Sequence, residues 1–138
     1  MPKEATDERE KAAGSAETAR MATLGLLRRE LARGTAELAV LSILSSGRRY
    51  GYELLRLLQG TGRGLLEISE GTLYPLLHRL EDAGHIIATW QAEGRARPRK
   101  YYAITPDGHR HVALLRAEWS GLVNAMQELL NTFGEGQP

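Results

Sequence analysis

The clearest pattern of apolar positions follows Thr105-Pro106-Asp107, which combines an N-cap, a proline at the first helical position and an acid near the positive end of the helix dipole. Apolar residues then recur at alternating spacings of three and four residues: Val112, Leu115, Trp119, Leu122, Met126, Leu129 and Phe133. This is the a/d seam of a coiled coil. It predicts a helix over 105–133 that pairs with a second chain, because one small domain does not bury so long a seam. Packing of the seam on its own domain is the alternative.

A second apolar stripe lies near the N-terminus. Three leucines share one helix face: Leu24, Leu27 and Leu31. They predict a helix over 17–32 whose apolar face needs another surface. Residues 1–16 are polar and charged and are expected to form a solvated tail or a weak helix. Gly34-Thr35 is expected to end the first helix, with Thr35 capping a buried helix over 36–44.

The middle of the chain predicts two more helices. The first covers 51–58, and the second begins after the N-cap Ser69 and ends at Gly84. Its buried face consists of leucines: Leu73, Leu76, Leu77 and Leu80. Pro75 lies inside this helix, one turn after Gly71, so the carbonyl left without a donor belongs to a residue with no side chain. We expect the pair to form a low, smooth outward surface.

Two β-rich stretches follow, over 85–92 and 100–104, around a basic turn at 93–99. Three helices and a hairpin predict a mainly α fold with a small β-hairpin, the winged variant of the helix-turn-helix. The predicted organisation is a tail (1–16), an N-terminal helix (17–32), a winged-helix domain (33–104), a C-terminal dimerisation helix (105–133) and a short tail (134–138).

Composition narrows the classes of function. The 138 residues include no cysteine, and no apolar run approaches the ~18 residues that span a bilayer. We therefore expect a cytoplasmic protein without disulfides or a membrane partner. The net charge is only +1, but residues 95–111 carry five cations against Asp107 alone. Such a cluster gives a near-neutral protein a positive face for a polyanion.

These features favour binding to duplex DNA. In a winged helix the last helix of the trio enters the major groove, and the wing lies on the backbone or in the minor groove. Candidate contacts on that helix are Ser69, Thr72, Tyr74, Pro75, His78 and Arg79. The wing adds Arg95, Arg97, Arg99 and Lys100, and the start of the second helix adds Arg48, Tyr50 and Tyr52. Each residue alone is an ordinary surface side chain, whereas the set together favours DNA.

Several stretches in order resemble the PadR family of bacterial transcriptional regulators: RGTAELAVLSIL (33–44), YGYELLRLL (50–58), EGTLYPLLHRLEDAGHI (70–86), RPRKYYAIT (97–105) and the EW-containing last helix. The resemblance covers about 33–131 and is closest to the compact branch with one C-terminal helix. It implies a homodimeric winged-helix repressor on a pseudo-palindromic operator. It also implies that Thr72, Tyr74 and His78 lie at the operator, with Arg97, Arg99 and Lys100 on the wing. The chain departs from the family in its longer, more charged N-terminal arm.

The predicted dimer interface joins both terminal helices through Leu24, Leu27, Val112, Leu115, Trp119, Leu122, Met126 and Leu129. Trp119 occupies a seam position where an indole packs poorly, so two copies near a dyad leave a flat pocket for a planar aromatic effector. The alternative is that Trp119 is ordinary interface core.

No catalytic motif is present, and we expect no enzyme, cofactor or metal site. His109 and His111 point to different helix faces, and His78 with Asp82 is only a weak metal-binding pair. The competing function is a winged-helix protein-interaction module with no DNA role, against which the basic wing argues.

Overall fold

The computed structural model describes residues 2–92, 94–95 and 97–134. Its longest element is a single helix, α1 (Pro2–Ser45), so the predicted break at Gly34-Thr35 is wrong. The Thr35 hydroxyl does not cap a new helix but donates to the carbonyl oxygen of Leu31 at 2.8 Å. A glycine inside a helix costs about 1 kcal/mol relative to alanine. Burial of Ala32 and Ala36 on either side offsets that cost.

The N-terminal part of α1 is helical without a core to pack on. Residues 1–16, expected as a tail, and 17–32, expected as a separate helix, belong to α1 from Pro2 onward. Every side chain from Glu4 to Leu24 is exposed. Alanine, glutamate, lysine and arginine dominate this stretch and are strong helix formers, which explains why it continues the helix. The tail expected at the C-terminus lies, beyond Gly134, outside the described residues.

Two helices follow as predicted, α2 (Gly51–Gly60) and α3 (Glu70–Asp82), and a 3₁₀ turn (Gly62–Gly64) lies between them. The Ser69 hydroxyl oxygen accepts a hydrogen bond from the Thr72 amide at 3.2 Å, which confirms the predicted N-cap. Gly84 follows α3 in the left-handed conformation, with φ of 80°. Both ends of α3 are therefore set by local sequence.

The hairpin is present, and it belongs to a larger sheet. Strands β2 (Ile86–Gln91) and β3 (Arg99–Ile104) pair antiparallel, with Ile86 opposite Ile104. A third strand, β1 (Arg49–Tyr50), pairs with β3, so the strand order is β1–β3–β2. The sequence gives no strand signal at β1, because two residues are too few to show a strand pattern.

The last helix, α4 (Pro106–Phe133), begins at the predicted cap. The Thr105 hydroxyl oxygen accepts a hydrogen bond from the Gly108 amide at 3.0 Å. The same hydroxyl donates to the carbonyl oxygen of Gly84 at 2.6 Å. Thr105 therefore ties the start of α4 to the turn that ends α3. No helix in the described part of the chain is both long and apolar enough to cross a membrane.

The core lies where α1, α2 and α3 meet the sheet. Its most deeply buried side chains are Leu41, Leu44, Leu54, Leu58, Leu73, Leu77, Leu80 and Val40. Val112, predicted to lie in an interchain seam, is instead buried in this core at 5% exposure, and Leu115 packs against it. The first positions of the α4 stripe therefore serve the chain's own domain, because α4 starts directly at the edge of the core. From Trp119 onward the apolar stripe is exposed.

Candidate nucleic-acid interface

The outward face of α3 is polar and open. The four leucines of α3 are buried, and the exposed residues between them are Gly71, Tyr74, Pro75, His78 and Arg79. Thr72 lies at the edge of this face and is half-buried. A Cβ built on Gly71 would lie 3.7 Å from the Ser69 hydroxyl oxygen, which is an ordinary van der Waals contact. Four of the predicted contacts on α3 are therefore exposed, namely Tyr74, Pro75, His78 and Arg79.

Tyr74 also holds α3 against α2. A Cβ built on Gly51 would lie only 2.7 Å from the Tyr74 hydroxyl oxygen, so the tyrosine packs directly on the first residue of α2. Burial raises the pKa of the Tyr74 phenol above its ordinary value of 10.0, and the charges of Glu70 and Tyr102 act in the same direction. The phenol is therefore neutral at pH 7. Sequence reasoning missed Gly51, since a contact between two helices has no local signal.

Strand alternation separates the cations of the wing. Lys100 lies opposite Trp90 and on the same sheet face as the buried Tyr102. The Lys100 ammonium is 5.4 Å from the centre of the Tyr102 ring. Trp90 itself is 69% exposed. Arg95 and Arg97 are exposed in the turn between the strands. The Lys100 side chain therefore lies on the core-facing side of the sheet, apart from Arg99 on the other face.

The other face of the sheet carries interleaved arginines and tyrosines. The Arg99 guanidinium is 4.6 Å from the centre of the Tyr50 ring, and that of Arg48 is 5.0 Å from the Tyr101 ring. The two rings meet edge to face, with centres 5.6 Å apart. Such cation–π contacts contribute about 0.5–1 kcal/mol each at exposed sites. The two tyrosine rings therefore hold the guanidinium groups of Arg48 and Arg99 in place on this outer face of the sheet.

Tyr52 lies apart from that cluster, on α2. It is 54% exposed, and Arg56 donates to its hydroxyl oxygen at 3.3 Å. The predicted residues therefore form three groups. One is the face of α3 with Ser69, the second is the wing with its outer arginine–tyrosine cluster, and the third is the start of α2.

Sequence reasoning missed a row of arginines on α1. Arg28, Arg29 and Arg33 line a cleft of about 430 Å³ between α1 and the start of α3, with Ser69 and Thr72 on its other wall. The available signal was the spacing of four between Arg29 and Arg33, which places both on one helix face. That signal does not reveal that the face is turned toward α3.

The sequence profile of the transcriptional regulator PadR-like family matches residues 40–114, more than half of the chain. The chain belongs to the PadR-like family. The resemblance noted in the sequence is thereby confirmed, and the winged-helix assignment holds with a three-stranded sheet in place of the simple hairpin.

Relatives of this PadR-like chain match most of its length. The crystal structure of a PadR family transcriptional regulator from Eggerthella lenta DSM 2243 is 36% identical, with a TM-score of 0.75 over 84% of this chain and 99% of that one. A PadR-like transcriptional regulator from Bacillus cereus strain ATCC 14579 is 33% identical, with a TM-score of 0.64 over 73% and 96% of the two chains. An uncharacterized protein of Lysinibacillus sphaericus is 30% identical over 111 residues, which cover 80% of this chain and 98% of that protein.

Two apolar faces of the PadR-like chain are exposed. The face on α1 includes Leu24 and Leu27, and the face on α4 includes Leu122, Met126 and Leu129. Each of these side chains is about half exposed. A cleft of about 450 Å³ lies between the two helices. Its walls are Leu31, Leu38, Leu115, Trp119 and Leu122, with the carboxylates of Glu30, Glu37 and Glu118 beside them.

A histidine pair joins the winged-helix domain to α1 and α4. His111 Nε2 lies 2.9 Å from a carboxylate oxygen of Glu37, and its ring stacks on His85 with centres 4.0 Å apart. His109 is exposed and takes no part in this pair. Among the described residues, no group of three or more histidines and acids is arranged to hold a metal ion.

Proposed function

We propose that this PadR-family regulator binds an operator in duplex DNA as a homodimer and represses transcription until an effector releases it. In this proposal α3 enters the major groove and the wing contacts the backbone or the minor groove. The supporting observation is the polar outward face of α3 beside a wing that has four cations and no acid from Gly94 to Lys100. The relatives from Eggerthella lenta and Bacillus cereus are transcriptional regulators, which favours a regulator over an enzyme.

The test is the salt dependence of binding to a mixed-sequence duplex, measured by fluorescence anisotropy. Wild type should bind with a steep dependence on salt, because phosphate contacts release counterions. Arg97→Ala with Arg99→Ala should weaken binding to all duplexes and flatten the slope by about 0.9 for each lost phosphate contact. Arg9→Ala with Arg20→Ala removes the same charge from the exposed part of α1 and is the control. Absence of wild-type binding at low salt would overturn the proposal in favour of a protein-interaction module.

The dimer component is supported by the exposed apolar faces of α1 and α4. Exposed contiguous apolar patches of this kind mark interaction sites. A second copy would cover the stripe from Trp119 to Phe133, with the N-terminal helix face adding to the interface. Two copies related by a dyad would then present two α3 helices to the two halves of a pseudo-palindrome.

The effector component is supported by the cleft at Trp119. The indole is 43% exposed and faces a space with apolar walls, which suits a planar aromatic molecule. In a Trp90→Phe background, an acridine dye added without DNA should quench the remaining Trp119 fluorescence. Unchanged emission at saturating dye would contradict an aromatic effector site in this cleft.

A further inference from the structure

A basic trough runs between α1 and α3. It joins the cleft lined by Arg28, Arg29 and Arg33 to a second cleft of about 340 Å³, which Arg33 shares with Pro75 and Arg79. Thr72 lines both clefts, so they adjoin at the middle of the trough. We use "the α1 trough" for these two clefts together.

The α1 trough is positively charged. Four guanidinium groups line it against two carboxylates, those of Glu67 and Glu37. Glu37 already pairs with His111. Within the described residues, no ion pair engages Arg28, Arg29, Arg33 or Arg79. The trough therefore offers several cations whose charge is not neutralised by a paired acid.

The two flanks of α3 face different parts of the molecule. The flank with Tyr74 packs on Gly51 of α2, which directly follows strand β1 of the sheet. The flank with Thr72 and Arg79 borders α1. The sheet that carries the wing and the α1 trough therefore lie on opposite sides of α3.

We propose that the α1 trough is a second phosphate-binding element, in which Arg29 and Arg33 hold the DNA backbone on the wall of the major groove opposite the wing. This inference rests on the proposed function, in which α3 enters that groove. A helix with its side chains is about 10–12 Å across and the groove is about 12 Å wide. A helix in the groove therefore has one backbone wall along each flank, and the flank of α3 with Thr72 and Arg79 borders Arg33 of α1. Guanidinium groups suit this task because they pair with phosphate through two parallel hydrogen bonds.

The experiment compares two charge-matched pairs on the same helix. Arg29→Gln with Arg33→Gln removes the trough cations, and Arg9→Gln with Arg20→Gln removes two distant ones. Glutamine keeps the helix propensity of arginine, so α1 is retained. Arg20 lies about 13 Å and Arg9 about 30 Å along the helix from Arg29, and neither lines the trough.

Dissociation constants for a mixed-sequence duplex are measured by anisotropy between about 50 and 200 mM KCl. The trough variant should lower the slope of log K against log salt by about 1.8, so that its loss of affinity over this range is about 12-fold smaller than that of wild type. The control variant should keep the wild-type slope.

The outcomes separate the inference from the proposed function. A wild-type slope in the trough variant, together with a lower slope in the Arg97→Ala, Arg99→Ala variant, overturns the inference and leaves the proposed function standing. Equal lowering by the trough and control pairs also overturns it, since that result reflects net charge alone. Failure of wild type to bind any duplex overturns both. If the trough variant melts early by circular dichroism, Arg33→Gln alone should lower the slope by about 0.9, and an unchanged slope in that variant overturns the inference.

Discussion

Single residues determine how closely α3 and α4 approach their neighbours. Gly51 makes room for the ring of Tyr74, and Gly108 makes room for the carbonyl oxygen of His85, where a Cβ would clash. A Cβ at Gly34, in contrast, would meet no atom within 4 Å. Close contacts therefore explain why Gly51 and Gly108 are glycines, whereas no close contact explains Gly34.

The first prediction compares two glycine substitutions of opposite sign. Gly51→Ala forces the Tyr74 ring away from α2 and should lower the free energy of unfolding by about 1–3 kcal/mol. Gly34→Ala adds a methyl group to open space on a helix and should raise it by up to about 1 kcal/mol. Urea denaturation of both variants measures these changes. A Gly51→Ala protein as stable as wild type would show that Tyr74 does not fix the position of α3.

The second prediction concerns Pro75, whose ring is exposed on the outward face of α3. Pro75→Ala restores an amide that can donate to the Gly71 carbonyl, so the free energy of unfolding should stay the same or rise. Affinity for duplex DNA should fall about fivefold, or ~1 kcal/mol, because a contact surface is lost. Thermal melting and anisotropy measure the two effects. A loss of stability without a loss of affinity would return Pro75 to a purely structural role.

At the scale of elements, local signals predicted helix ends well where a side chain makes the cap. Ser69 and Thr105 both accept the predicted backbone hydrogen bonds, and Gly84 is left-handed as expected. Gly34-Thr35 carries the same residue types but lies inside a helix, because the buried residues on both sides favour continuity. Residue types alone do not distinguish a cap from a helix interior, since tertiary burial decides.

The candidate site was predictable only in part, because tertiary packing decides which side chains lie together. The helix period identified the exposed side chains of α3, and the charge run identified the wing. The separation of Arg99 and Lys100 onto opposite sheet faces depends on the strand register. The α1 trough depends on how α1 crosses α3, which no short stretch of sequence encodes.

The third prediction tests the exposed stripe of α4. Leu122→Glu places a charge in the proposed interface and should yield monomers by sedimentation velocity, with loss of tight DNA binding because the two half-sites are no longer engaged together. Leu114→Glu is the matched control, since Leu114 is 67% exposed and lies outside the stripe. A dimer that survives Leu122→Glu would contradict the proposed interface.

At the scale of the whole molecule, the chain combines a small winged-helix domain with two long helices that it covers only in part. Val112 and the His85–His111 stack fix α4 to the domain, and Glu37 connects the same point to α1. The orientation of α3 relative to the exposed apolar faces is therefore set within one chain. In the proposed dimer, this coupling would transmit a change at the Trp119 cleft to the spacing of the two α3 helices.

In the proposed function, a symmetric pair of α3 helices binds a specific DNA sequence. The most direct measurement is selection of bound fragments from sheared genomic DNA of the source organism, followed by sequencing. Recovered fragments should share a pseudo-palindrome whose half-site centres are about 10 base pairs, or a multiple of that, apart. Fragments with no common sequence above the input would contradict the claim.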